Sequence, residues 1–522
     1  MGIPTKFTRR RMLQTLGLGT AGFLMQDVLF GDKRARADSG TPPKIIIFCY
    51  FSGGWDQLMG LDPRKFGFGS TTAGLFPNSS STIDPALDQI MDTSSDVSSD
   101  GNTTKVILNW INSGAAATNG VLTLGNTGIE VGPAFYDTVW TNSTINSNIN
   151  DLCNRACIFR GVNMGTLTHE VGRRYFITGK FPRGLEASGS ALPTWIASLN
   201  GSTPQVGAIP NLSVGVETYN EQLPAFASGL LVNTANDIVN VLKSLNPEDP
   251  KAQTARDAAL EAYFAQNDCW EQTLDGTGLV TTLKESRIRA RDMLGSNLYG
   301  QFSFPQSTTD SALQNLYNVF GINNANSSQF NNAITGAKGQ ALIAARAITP
   351  DPTTGLPVSA CVSIQLATGI DDHDSDWANT HASSLRQGFD ALGRLILYLS
   401  QTNDPLNDGH ALIERTQLMA FSEFARTPNI NSRGGRDHHL ASSCLIAGGG
   451  IKGGLIGGTA DADFSSLGID LNTGAAQQTL GSGYTVRPPD VHATFLQAAG
   501  LGYTNLSNQT PVIIPAALTN PP

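Results

Sequence analysis

Carboxylates and imidazoles gather at a few short places in this 522-residue chain. Gly53-Gly54-Trp55-Asp56 follows one apolar run and Gly369-Ile370-Asp371-Asp372-His373-Asp374 follows another. A third run leads into Ser422-Glu423-Phe424-Ala425-Arg426-Thr427, and Gly435-Arg436-Asp437-His438-His439 comes shortly after it. Carboxylate oxygens bind hard cations, and imidazole nitrogens favour zinc, manganese or iron. Acidic and imidazole groups brought to one edge are therefore the material of a divalent metal site. Taken singly each piece is weak: Asp56 fits a helix cap, Asp371 and Asp372 fit a turn, and His438-His439 fits a solvated pair. The set is stronger, because His169, His373, His381, His438 and His439, five of the seven histidines, fall at strand ends or in the next loop. Carboxylates held together without a cation would repel one another.

The elements that must position these groups read as an alternating α/β pattern. Lys44–Phe51 is a continuous apolar run bounded by Pro43 and Ser52-Gly53-Gly54, which predicts a strand buried on both faces. Further strands are expected near Ala156–Arg160, Leu212–Val216, Val358–Leu366, Thr416–Phe421 and Ser443–Ala447. Helices are expected at Leu192–Leu199, Ala337–Ala347, His381–Leu399 and Asp490–Gly500. Pro77–Gly128 is rich in Ser, Thr, Asn, Asp and Gly and reads as a loop-like insertion with a short strand at Val106–Trp110. About 247–348 reads as a helical insertion over the sheet. In open sheets of this class ligands bind beyond the carboxyl ends of the strands, which is where the acidic and imidazole groups fall.

Composition narrows the partners. Hydrophobic residues make up 40%, so a large core is available, whereas charged residues make up only 15%. The net charge of −9 argues against a nucleic-acid binder, which needs a basic face. No apolar run after the N-terminus reaches a membrane-spanning length, so no transmembrane helix is expected in the mature chain. Thr8-Arg9-Arg10-Arg11-Met12-Leu13-Gln14, an apolar stretch from Leu16 to Phe30 and Ala35-Arg36-Ala37 resemble a twin-arginine export signal with its cleavage site. Residues 1–37 are thus expected as a signal read by the twin-arginine export machinery. Residues 38–510 follow as one domain and 511–522 as a tail, the protein being periplasmic, cell-surface or secreted. Six cysteines form no disulfide scaffold. Cys153 and Cys157 lie one helical turn apart, and a disulfide and two reduced core thiols are both open readings. Gly448-Gly449-Gly450-Ile451-Lys452-Gly453 fits a dinucleotide fingerprint in form, but glycines rather than a helix follow it.

The strand-end motifs, followed by the glycine-rich run Ala447–Gly454, resemble the exported family catalogued as domain of unknown function 1501. That family is similar to the alkaline phosphatase and sulfatase superfamily. The resemblance spans Lys44 to Tyr503 and is most specific between Val358 and Gly458. It implies a three-layer sandwich with a mostly parallel central sheet flanked by helices. It also implies two-metal hydrolysis of a small anionic phosphate or sulfate ester, the divalent ions being zinc, manganese or calcium. By position, Asp56, Asp371, His373, Glu423, Asp437 and His438 match the ligand segments of such a site. Thr166 and Thr168 both stand where the nucleophile is expected, and His169 beside them serves as base or ligand. Arg173, Arg174 and Arg183 either grip the anionic ester or are surface charges. Glu423 precedes Phe424 where the superfamily has an Asp-His pair. The rival reading is therefore an exported binding or surface protein that keeps the fold around a degraded site.

Overall fold

The computed structural model describes residues 44–64, 121–200, 209–242, 298–350, 357–374, 380–428, 431–501 and 510–521, apart from residues 408, 429–430, 432, 434, 462 and 480, together with a few isolated positions. The expected signal at 1–37, the strand at Val106–Trp110 and most of the first half of the helical insertion lie outside the described residues.

Among the described residues eight strands form one sheet: β1 Ile45–Phe51, β2 Ala156–Asn163, β3 Asn211–Val214, β4 Leu230–Val232, β5 Cys361–Ala367, β6 Thr416–Ser422, β7 Ala441–Gly448 and β8 Gly454–Gly457. Their order is β8-β2-β7-β6-β1-β5-β3-β4. β1 pairs in parallel with β5 and β6, β3 with β4 and β5, and β8 with β2. Only β7 runs against its neighbours β2 and β6. The sheet is thus mostly parallel, as the continuous apolar runs predict. Alternate residues of β1 enter opposite cores: Ile45, Ile47, Cys49 and Phe51 on one face, Ile46, Phe48 and Tyr50 on the other.

Among the described residues the α-helices are α1 Ile149–Asn154, α2 His169–Thr178, α3 Leu192–Asn200, α4 Ala235–Leu242, α5 Ser311–Val319, α6 Ser327–Thr335, α7 Ala337–Ile348, α8 Thr380–Gln401 and α9 Pro488–Ala498. α7 and α8 pack Leu342, Ile343, Leu392 and Leu395 into the first core. α2, α3 and α9 pack Phe176, Ile196 and Phe495 into the second. Helix, sheet and helix therefore form three layers. The described part of the insertion, from residue 298, holds α5, α6 and α7.

Some sequence expectations shift. The segment from Ala156 opens β2 rather than ending a strand, because the apolar run continues through Val162 to Asn163. The residues expected as a C-terminal tail are packed in: Ile514 and Ala517 are buried, and the Ile514 N–H donates to Thr494 Oγ1 at 2.9 Å. Cys153 and Cys157 are both free, and they belong to the two different cores, so the sheet separates their thiols. Burial pushes both thiol pKa values up to about 12. The Gly448–Gly453 segment leads into β8 and opens no helix. Among the described residues, no helix is long and apolar enough to cross a membrane.

Candidate metal centre

β1, β2, β5 and β6 all end on the same edge of the sheet, and the reversed β7 begins there. The chemistry of the sequence is delivered to that edge by four connections, those after β1, β2 and β5 and the one that joins β6 to β7. After β1 the chain turns through Gly53 and Gly54, whose φ angles of 127° and 81° suit glycine alone. The Ser422 hydroxyl at the end of β6 fixes this turn. It donates to the Phe51 carbonyl at 2.7 Å and accepts the N–H groups of Gly54 and Trp55 at 3.1 and 3.2 Å. A short antiparallel ladder of Ala425–Arg426 with His438–His439 then carries the two histidines over the edge just before β7 starts.

Four groups converge there. His169, Asp371, His373 and His438 each present one ligand atom, and these atoms all lie within 4.8 Å of one another. Asp371 Oδ1 stands 3.2 Å from His169 Nε2, 3.4 Å from His373 Nε2 and 3.8 Å from His438 Nε2. His373 Nε2 and His438 Nε2 are 2.9 Å apart. Ligand atoms at about 2.05 Å around a tetrahedral zinc are separated by roughly 3.3 Å, so the cluster has the dimensions of a coordination shell.

The other nitrogen of each ring fixes its tautomer. His169 Nδ1 donates to Glu423 Oε1 at 2.8 Å, and that oxygen also accepts the Gly53 N–H at 2.9 Å. His373 Nδ1 donates to Asp437 Oδ1 at 3.0 Å. His438 Nδ1 lies 2.6 Å from the Leu167 carbonyl, which can only accept. With Nδ1 protonated on all three rings, each Nε2 offers a lone pair to the centre. Two such lone pairs 2.9 Å apart repel unless a metal ion or a shared proton lies between them. Carboxylate or carbonyl partners behind ligating imidazoles are the usual second layer of a metal site.

The local electrostatics agree. Burial alone would raise Asp371, but the hydrogen bond and charge of Arg426 hold it below the usual carboxylate range. The hydrogen bond from His373 likewise lowers Asp437. Burial, reinforced by nearby Arg426, lowers His438 and keeps it neutral. The Phe424 ring walls one side, with centroids 4.6 Å from His169 and 4.3 Å from His438.

A family profile described as "Protein of unknown function (DUF1501)" matches residues 124–510. The chain belongs to this family. No curated protein matches it. All four converging residues of this DUF1501 chain, with Glu423 and Asp437 behind them, fall inside the matched segment, whereas Asp56 falls outside it.

The structure sorts the residues expected from sequence into distinct roles. The structure brings Asp371, His373 and His438 together as expected, with His169 beside them, in a group that could hold a metal ion. Glu423 and Asp437, expected as ligands, stand one layer back because an imidazole nitrogen lies between each carboxylate and the centre. Asp56 is not brought to the cluster. Its carboxylate is buried in an ion pair with Arg436 Nε at 3.0 Å and accepts the Met59 N–H at 3.0 Å. The compact turn after Gly54 points it into the protein, where its own N–H donates to the buried His381 Nε2 at 3.1 Å. Thr166 Oγ1 accepts the Thr168 N–H at 3.1 Å, closing the loop that carries the Leu167 carbonyl to His438. Thr168 is exposed at the N-cap of α2 and its side chain makes no capping bond. Arg173 and Arg174 are engaged by Glu217, at 2.7 and 3.4 Å.

A further residue, Arg426, is not singled out by the sequence. Its guanidinium is fully buried, donates from Nη2 to Asp371 Oδ1 at 2.7 Å and to the Gly53 carbonyl, and donates from Nε to the Gly54 carbonyl at 3.1 Å. The only signal for it was its place in the Ser422–Pro428 motif.

Proposed function

We propose that this protein is an exported, metal-dependent hydrolase of phosphate or sulfate esters with an alkaline phosphatase-like fold. The observation that carries the reading is the convergence of His169, His373 and His438 Nε2 on Asp371 Oδ1, with every Nδ1 tied to an oxygen acceptor. Three imidazoles and one carboxylate suit zinc best, with manganese next; calcium, which favours all-oxygen shells, fits poorly. The mostly parallel sheet with its site on the carboxyl edge supports the fold assignment.

A divalent ion held by these four residues would supply Lewis acidity toward an ester oxygen and lower the pKa of a coordinated hydroxyl or water. The chain's own groups prepare that site. Glu423 and Asp437 hold two rings in the ligating tautomer, and the Leu167 carbonyl holds the third. Phe424 packs against the rings of His169 and His438 on one side. Of the two threonines, Thr168 is the better nucleophile candidate. It adjoins the ligand His169, and its hydroxyl is not consumed by the helix cap, whereas Thr166 closes its own loop.

The test is turnover of 4-nitrophenyl phosphate and 4-nitrophenyl sulfate by zinc- and manganese-loaded protein, beside His169→Ala and Thr168→Ala. Hydrolysis lost in both variants supports the reading. Bound metal with no turnover of either ester favours the exported binding protein instead. Export itself is tested by N-terminal sequencing of the mature chain, which should begin near Asp38 if residues 1–37 are removed.

A further inference from the structure

The geometry points to a mononuclear centre in which the guanidinium of Arg426 is a built-in second cation, sharing Asp371 Oδ1 with a single divalent ion. This rests on the metal-site reading above and goes beyond it in fixing the stoichiometry and naming a positioning residue.

Arg426 is held from every side. Besides its bonds to Asp371 and to the carbonyls of Gly53 and Gly54, Nη1 donates to the Arg436 carbonyl at 3.2 Å and faces His373 Nε2 at 3.3 Å. A carboxylate oxygen has two lone pairs, so Asp371 Oδ1 can serve the guanidinium and one ion together. The imidazole has one in-plane lone pair, so an ion must take His373 Nε2 away from Arg426. The arginine thus keeps both ligands in place when no ion is bound and opposes the ion that replaces it.

Charge argues for one ion. Counting the groups that touch the four ligands, Glu423, Asp437 and Asp371 bring three negative charges. Arg426 and one divalent ion balance them, and Arg433, 3.9 Å from Asp437 Oδ1, adds further positive charge. A second divalent ion would leave uncompensated positive charge on a half-buried edge, which is costly. The other acidic group expected from sequence to hold metal is already neutralised, since Asp56 is paired with Arg436.

The experiment titrates zinc into chelator-stripped, full-length protein by calorimetry, and separately measures zinc per chain after dialysis. The expected result is one zinc per chain. Removing the guanidinium charge with Arg426→Gln should tighten zinc binding by about tenfold, because the competing cation is gone. Arg426→Lys keeps the charge and should stay near the parent affinity. Two zinc ions bound with similar affinity overturn the inference and leave the metal-site reading standing. Unchanged or weaker binding by a folded Arg426→Gln also overturns it. No bound zinc overturns both. If Arg426→Gln fails to fold, the parent stoichiometry still decides.

Discussion

Each histidine of the centre is useful only because of what holds its far nitrogen. Replacing Glu423 by Gln, or Asp437 by Asn, turns a charged acceptor into a neutral amide and loosens the ring in front of it. Zinc affinity should fall by about 10–100-fold in either variant, measured by competition with a chromogenic chelator, with the fold retained. His169→Ala or His438→Ala removes a ligand and should cost more than either. Asp56→Ala should behave in the opposite way. It breaks the buried ion pair with Arg436, which costs about 3–5 kcal/mol in chemical denaturation, while zinc affinity stays near the parent value. A large loss of zinc binding in a folded Asp56→Ala would restore Asp56 to the ligand set. These residues were legible in the sequence as a group, because acids and imidazoles after apolar runs must sit at a sheet edge. Their division into ligands, supports and ion-pair partners was not. That depends on which lone pair points inward, and spacing along a chain carries no such information. Arg426 was missed for the same reason, since a buried arginine in a motif looks like any other cation until Asp371 is seen beside it.

Among the elements, β1, β5 and β6 were readable because a strand covered on both faces has to be apolar throughout. The polar stretches between elements gave no such signal, and the short outer strands β4 and β8 lack the length to show a pattern. The reversal of β7 was also hidden, although it decides the site, since only a strand starting at the carboxyl edge brings His438 there. Helix α2 shows how tightly an element must be seated. A Cβ on Gly172 would lie 2.3 Å from the Glu423 carbonyl oxygen, so the helix crosses directly over the residue that orients His169. Gly172→Ala should push α2 outward, destabilise the protein by about 1–3 kcal/mol and weaken zinc binding together. A variant that loses stability but binds zinc as before would mean that His169 follows Glu423 independently of the helix.

The whole molecule joins two cores through one sheet, and the second core contains a histidine. His492 on α9 is completely buried, its ring packed near Phe48 and Phe176 with centroids 6.2 and 5.8 Å away. Burial pushes its pKa down to about 3, against a weaker opposing pull from the Phe176 backbone. The ring is therefore neutral in the folded protein at any pH where the unfolded chain, with a histidine pKa near 6.5, is still choosing between charge states. Because the folded value is the lower one, this stabilising difference is complete above about pH 6.5. It is lost progressively as pH falls toward 3, since only the unfolded chain gains the proton. Burial lowers His381, His438 and His439 in the same direction, so they add to the slope. The lowered carboxylates Glu217, Asp371 and Asp437 act in a more acidic window, at and below their ordinary values. Between pH 6 and 4.5 the acid loss of stability is thus a histidine effect, worth about 1.4 kcal/mol per pH unit for each proton taken up on unfolding. Urea denaturation in the presence of chelator, which removes metal-linked protons, should show that fall in the parent. His492→Leu should lower it by close to one proton's share, whatever the variant's stability at neutral pH. A slope equal to the parent's would mean that His492 takes up its proton inside the folded core, and that the packing around α9 opens to water before the sheet does.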